Sequence, residues 1–367
     1  MMYNWQIPEW PNFNYNTSIV EDQALLFIEQ QGLLNGLLKG ISKKQQTETL
    51  IELLSNEATK TAAIEGEIYS KEDIVSSIIN NLGIVIKQKQ VKNKDAKKIA
   101  QLVVESRNTF DQPLTESTLL NWHKILFSEH KKINAGKWRM KKAAMQVISG
   151  TIGKEKVYYE APPSAIVPKE MKYFIQWFND TAPTGKLPIK HAPIRAAIAH
   201  LYFESIHPFE DGNGRIGRVL AEKALSQTVG SPIFISLSSS IEKNKKLYYN
   251  RLSESQKTLD INKWIGYFID TILTAQQEAE EVITFTIKKN MFFAAFRHKL
   301  NERALKVISK MFDAGLKGFV GGMNAKKYMG ITKASKATAT RDLQYLVSIG
   351  VFESKGEGRS THYHIIL

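Results

Sequence analysis

The sequence predicts a mainly α fold, interrupted by one internal β-hairpin and closed by a small C-terminal winged helix-turn-helix domain. Three observations carry this expectation. Apolar residues recur at helical spacing over most of the chain. Short β-favouring runs flank glycines at one internal place, Val147-Ile148-Ser149-Gly150 and Lys156-Val157-Tyr158-Tyr159. Near the C-terminus, three helical patterns precede two short strand-like runs around Lys355-Gly356-Glu357-Gly358-Arg359, which is the order of a winged helix.

Taken in order, the chain opens with Trp5, Trp10, Phe13 and Tyr15, with Pro8 and Pro11 among them. This mixture predicts an extended arm packed on a domain. Helical patterns follow at 21–39, 43–65, 72–81, 94–108 and 115–128. The hairpin is expected over 146–159, with Pro162-Pro163 ending it. Helices resume at 168–181, 190–205, 213–229, 242–257 and 261–289, then at 300–314, 322–329 and 334–348. A chain of 367 residues exceeds one ordinary core. The expected division is an N-terminal arm with helices over 1–95, a catalytic core over 96–290 and the winged-helix domain over 291–367.

Hydrophobic residues make up 43% and charged residues 23%, an ordinary globular balance. The absence of cysteine excludes disulfides and cysteine-based zinc sites. The N-terminus lacks a basic stretch followed by an apolar run, and no stretch of about 18 apolar residues occurs. The expectation is a cytoplasmic protein with no membrane contact. The net charge of +14 favours anionic partners such as nucleotides or nucleic acid. Part of it belongs to a solvated lysine stretch, Lys87, Lys89, Lys92, Lys94, Lys97 and Lys98.

The densest chemistry lies in residues 207–218, His-Pro-Phe-Glu-Asp-Gly-Asn-Gly-Arg-Ile-Gly-Arg. Pro208 disfavours helix at His207, so the preceding helix should stop there and leave an imidazole, suited to general-base work, at its end. Gly212, Asn213 and Gly214 allow a turn that exposes successive backbone N–H groups at a helix N-terminus, an anion-binding geometry. Arg215 and Arg218, spaced i, i+3, share one face of that helix and oppose its dipole, which an anion between them would relieve. Asp211 is a hard oxygen ligand beside that site, as Mg²⁺ requires. Together these parts match metal-assisted attack on a nucleotide phosphate.

This segment resembles the motif of the Fic family without departure, and the resemblance extends loosely over about 100–290. It implies a helical core and transfer of AMP from ATP to a Ser, Thr or Tyr hydroxyl of a target protein, self-modification included. By resemblance, His207 deprotonates the hydroxyl, Phe209 anchors the loop, and Asp211 holds Mg²⁺. Gly212, Asn213 and Gly214 cradle the phosphates, and Arg215 and Arg218 bind the β- and γ-phosphates. Tyr248-Tyr249 and Gln256 are similar to positions lining the adenine pocket, although the family more usually has Asn where Gln256 stands. The hairpin resembles the family's flap, in which Val147 and Ile148 would hold a target segment by strand addition. Gly136-Lys137-Trp138-Arg139 resembles the start of that flap segment and reads as structural.

A second motif, Thr61-Ala62-Ala63-Ile64-Glu65-Gly66, resembles the family's inhibitory motif. Gly66 is suited to end the helix over 43–65, leaving Glu65 at its negative end, where a cationic partner removes a penalty. The resemblance implies that Glu65 pairs with Arg218 and prevents productive γ-phosphate binding. In some relatives the same glutamate supports AMP removal, and the sequence leaves that open.

The C-terminal domain carries 11 Lys/Arg against 5 Asp/Glu over 300–367. Lys333, Lys336, Thr338, Thr340 and Arg341 on its recognition helix, and Arg359 in its wing, suit DNA contacts, with packing, docking or dimerisation as alternatives. Oligomeric state stays open, a homodimer included. Two other functions compete with transfer: a metal-dependent phosphate hydrolase using His200, Glu204, His207 and Asp211, and an ATP-sensing DNA-binding regulator without catalysis.

Overall fold

The computed structural model describes residues 2–84, 90–141, 143–149 and 156–367. The expected hairpin tip around Thr151-Ile152-Gly153, and Lys87 and Lys89, lie outside them. The fold is mainly helical with small antiparallel hairpins, as the sequence predicts. Five helices lead the chain: α1 Glu21–Lys39, α2 Lys43–Ile64, α3 Lys71–Asn81, α4 Lys94–Asn108 and α5 Glu116–Phe127. The strands β1 Gln146–Ser149 and β2 Lys156–Glu160 follow. Then come α6 Val167–Asp180, α7 Ala192–Ile206, α8 Asn213–Val229, α9 Leu237–Lys243, α10 Lys245–Ser255 and α11 Asn262–Phe296. The chain closes with α12 Glu302–Phe312, α13 Ala325–Thr332, α14 Lys336–Ser348, β3 Phe352–Lys355 and β4 His362–Ile365.

Many helices start where a polar side chain replaces a missing backbone acceptor. Ser70, Asn93 and Thr115 accept from the first-turn N–H groups of α3, α4 and α5. Two elements differ from expectation. The single helix expected over 242–257 is two, because Asn244 leaves helical geometry and caps α10 through the Leu247 N–H at 3.2 Å. The helix expected over 261–289 continues to Phe296, since neither Gly nor Pro stops it.

The chain divides into two compact units, residues 1–36 with 50–279, and residues 37–49 with 280–367. In the first, α7 is the central element. All 15 of its residues are buried, which fits its apolar character on every side. Trp264 Nε1 donates to the Ala197 carbonyl at 2.8 Å. The N-terminal arm packs in this unit through short helical turns at Asn4–Gln6 and Thr17–Val20, rather than as a purely extended strand. Trp5 Nε1 donates to the Glu160 carbonyl and Trp10 Nε1 to Glu170, both at 2.8 Å.

The strands β1 and β2 pair antiparallel, with Val147 opposite Tyr159 and Ile148 opposite Val157. That shift leaves Tyr158 as the extra residue of a β-bulge, which bends the strand. In the second unit, α12, α13 and α14 enclose a core including Val307, Ile308, Tyr328, Leu343 and Leu346. Arg303 grips Asp342 with two contacts of 2.8 and 3.2 Å, and Tyr328 Oη donates to the same carboxylate at 2.8 Å. These bonds fasten the three helices together. The β3–β4 hairpin follows, tied to the segment before α13 by paired Met323–Tyr363 backbone bonds of 2.7 and 2.8 Å. No helix among the described residues is long and apolar enough to cross a membrane.

Candidate active site

The loop between α7 and α8 gathers the residues singled out in 207–218. The helix α7 stops at His207, which adopts the left-handed conformation with φ 49° and ψ 60°. Arg139, 3% exposed, holds that bend. Its guanidinium donates to the His207 carbonyl at 2.8 Å and the Pro162 carbonyl at 2.5 Å, and its N–H reaches the Pro208 carbonyl at 2.9 Å. Burial lowers its pKa to about 10, which still leaves it charged near neutrality. Arg139 thereby joins the segments flanking the hairpin to the loop bearing His207.

The loop's shape comes from two further devices. The Asn213 side chain accepts from the Phe209 N–H and donates to the Phe209 carbonyl, both at 2.9 Å, closing the loop on itself. Its amide is thus engaged in shaping the turn. Gly212 has φ +81°, and a Cβ there would lie 2.6 Å from the Phe127 ring. Both facts require glycine.

Phe209 is fully buried, as an anchor requires, and its ring stacks on His123 at 4.1 Å with 7° between planes. His123 Nδ1 accepts from the Gly136 N–H at 2.9 Å, so the proton sits on Nε2. Burial outweighs the nearby Asp211 carboxylate and lowers the His123 pKa to about 4. Between the ordinary pKa near 6.5 and about 4, the unfolded chain takes up a proton that the folded chain refuses. The contribution is complete above pH 6.5 and is lost as pH falls towards 4. Urea unfolding should record a fall of roughly 2 kcal/mol between pH 7 and 5 from this residue. His123→Phe should flatten that part of the slope, and equal slopes in both proteins would contradict the assignment.

His207 Nδ1 lies 3.5 Å from Glu204 Oε2, within ion-pair range but without hydrogen-bond alignment. Burial acts to raise the Glu204 pKa, but His207, His200 and Arg218 together hold it below the ordinary carboxylate range. Glu204 sits one helical turn before His207, so α7 itself sets the pairing. Gly217 makes room for it, since a Cβ there would lie 2.5 Å from Glu204 Oε1. His200 is buried with Nε2 2.8 Å from Tyr248 Oη. Among the described residues no three His, Asp or Glu are grouped to hold a metal, so His200, Glu204, His207 and Asp211 do not form the ligand set of the hydrolase alternative.

The helix α8 begins at Asn213, and both of its arginines are paired. Arg218 is fully buried. It donates from Nε to Thr61 Oγ1 at 2.8 Å and from Nη2 to the Thr61 carbonyl at 3.2 Å and Glu65 Oε1 at 2.8 Å. Burial opposes its charge, yet the Glu65 carboxylate prevails and raises its pKa above the ordinary value. Glu65 reaches this place because Gly214 has no side chain: a Cβ there would lie 2.5 Å from Glu65 Oε1. The carboxylate therefore occupies the positive end of α8, where an anion is stabilised.

A second carboxylate acts alongside. The helix α2 ends at Ile64 and Gly66 turns the chain with φ +85°, the Glu67 N–H returning to the Ala62 carbonyl at 3.0 Å. That turn delivers Glu67 to Arg215, whose Nη1 contacts both carboxylate oxygens at 3.0 and 3.1 Å. Arg215 Nη2 also donates to Asp211 Oδ1 at 3.2 Å. Among the described residues, Arg215 Nε and Arg218 Nη1 are buried without hydrogen-bond acceptors. Two orphaned guanidinium donors beside a helix N-terminus fit phosphate oxygens.

Asp211, half exposed beside these arginines, fits the modest protein share of a Mg²⁺ shell, which draws its other ligands from phosphates and water. Tyr249 is half-buried, with burial and then Glu65 raising its phenol above the ordinary range. Gln256 is buried and donates to the Glu204 carbonyl at 3.1 Å. Val147 is half-buried on β1, and Ile148 follows it in the strand. Glu67 and Glu204 are the contributors that sequence reasoning overlooked or read otherwise, whereas Arg139, expected to be structural, holds the loop backbone. Glu67 had a signal: a second carboxylate just past the glycine that ends α2.

Known proteins resemble this arrangement. Residues 113–225 match the Fic/DOC family. Residues 3–84 match a family described as a domain of unknown function (DUF4172). A probable protein adenylyltransferase of Aquifex aeolicus (strain VF5) is 26% identical over 164 residues, 45% of this chain and 44% of that protein. A protein adenylyltransferase of Caenorhabditis elegans, fic-1, is 31% identical over 88 residues, 24% of this chain and 16% of that one. The chain thus spans less than half the length of these curated relatives. A solved Fic family protein from Desulfovibrio desulfuricans G20 shares the fold, with TM-score 0.54, 17% identity and coverage of 97% and 98% of the two chains.

Proposed function

We infer that this chain transfers AMP from ATP to a Ser, Thr or Tyr hydroxyl of a protein, and that its own α2 segment holds it inactive. The observation that carries this reading is the Glu65 carboxylate on Arg218, at the α8 N-terminus where a nucleotide phosphate would bind. In the active state the phosphates would replace both carboxylates. They would lie against Gly212, Asn213 and Gly214, with Arg215 and Arg218 taking the β- and γ-phosphates. Asp211 would hold Mg²⁺, which supplies neutralising charge when bound. Tyr249 and Gln256 would lie on the adenine side. The edge of β1 at Val147 and Ile148 would pair with the target segment.

The acceptor oxygen attacks the α-phosphorus as its proton passes to His207. The new O–P bond forms while the bond to the bridging oxygen breaks, and pyrophosphate leaves. Glu204, beside Nδ1, favours the imidazolium that forms and leaves Nε2 to face the acceptor. Glu65→Gly protein supplied with ATP labelled at the α- or γ-phosphate tests the reading. Label should reach protein from the α-position alone. Transfer of γ-label, or of neither, contradicts it.

Glu67 adds a second, weaker lock on Arg215. Both carboxylate oxygens meet the one Nη1, and the carboxylate is 36% exposed, so the pair's worth is about 1 kcal/mol. Glu67→Ala should therefore tighten ATP binding about fivefold by calorimetry. Transfer should stay low while Glu65 remains. Unchanged ATP affinity would show that Glu67 is not in competition with phosphate.

A further inference from the structure

The active-site reading leaves one surface of the second unit without a role: the solvent face of α14 and the turn before it. The helices α13 and α14 are joined by three residues, Lys333-Ala334-Ser335, with Lys333 in the left-handed conformation and Ser335 Oγ accepting from the Thr338 N–H at 3.2 Å. Ala339, Asp342, Leu343 and Leu346 face inwards. The opposite side of α14 presents Lys336, Ala337, Thr340, Arg341 and Gln344. No acidic residue lies on that side, because the helix's one carboxylate, Asp342, is buried against Arg303 and Tyr328. Small and polar residues at the centre of this face permit close approach, and Lys333 in the preceding turn and Lys326 in the first turn of α13 are exposed charges. An ordinary solvated helix mixes both signs of charge.

We propose that this face binds duplex DNA, with α14 entering the major groove. A helix fits that groove, Arg341 and Gln344 are residue types that read base edges, and Lys326, Lys333 and Lys336 match phosphate contacts. Neutralising three phosphates gives a salt slope of about −2.7, hence roughly a 40-fold weaker affinity at 200 mM than at 50 mM NaCl.

The test is fluorescence anisotropy of the full chain with a labelled mixed-sequence DNA duplex. The double variant Lys336→Glu, Arg341→Glu should lose at least tenfold in affinity and about 1 in slope, with unchanged melting and unchanged AMP transfer after Glu65→Gly. The control variant Lys94→Glu, Lys97→Glu, on the exposed side of α4, should bind as wild type. The proposal is overturned if 10 µM protein at 50 mM NaCl leaves the duplex unbound. It is equally overturned if the α4 control loses affinity as much as the α14 variant, or if single-stranded RNA or polyglutamate binds as tightly as the duplex.

Discussion

Glu65→Gly is expected to raise AMP incorporation by at least ~10-fold over wild type, because it frees the buried Arg218 for the γ-phosphate and lets the α-phosphate align. The same change has a stability signature. Without nucleotide, Arg218 keeps Thr61 but loses its countercharge while fully buried. Removing one partner of a buried ion pair costs several kcal/mol, and partial exposure of Glu65 reduces this to about 2 kcal/mol. The variant should melt below wild type when free, and ATP with Mg²⁺ should raise its melting temperature more than that of wild type. A variant that gains activity without this added ATP stabilisation would place the brake elsewhere.

The second large effect is loss of chemistry at His207. In the Glu65→Gly background, His207→Ala should lower transfer by about 10²- to 10⁴-fold, the usual contribution of a general base. ATP affinity should change by less than about twofold, since His207 lies outside the arginine pair. The residue sits at φ 49°, where most side chains are strained, so backbone relaxation could mimic a catalytic defect. Asparagine accepts that conformation. His207→Asn should therefore melt as the parent does yet remain as inactive as His207→Ala. Equal loss of ATP binding and transfer would assign His207 to nucleotide binding instead.

Much of this site was legible because it is local. Pro208, the glycines at 212 and 214 and the spacing of Arg215 and Arg218 carry their geometry in the sequence, and the end of α7 at His207 follows from the proline after it, whereas the left-handed conformation of His207 does not. The Glu65–Arg218 pair spans 153 positions and was legible only through resemblance. Arg139 was likewise marked as structural only through resemblance. Its side chain meets carbonyls 23 and 68 positions away, so no periodicity or spacing announces it. Asn213 carries a role that its place in the motif does not announce: its side-chain amide closes the loop on Phe209, which leaves the cradle expectation to its backbone N–H. The break at Asn244 was missed because apolar residues keep helical spacing across it, and only the cap on Leu247 divides the two helices.

Restraint of AMP transfer by Glu65 is read directly by mass spectrometry of wild-type and Glu65→Gly protein incubated with ATP and Mg²⁺. An added AMP moiety is expected on a Ser, Thr or Tyr of the Glu65→Gly protein, little or none on wild type, and none when His207→Ala is combined with Glu65→Gly. Absence of AMP from the Glu65→Gly protein and from every added acceptor protein, with ATP bound, would contradict it.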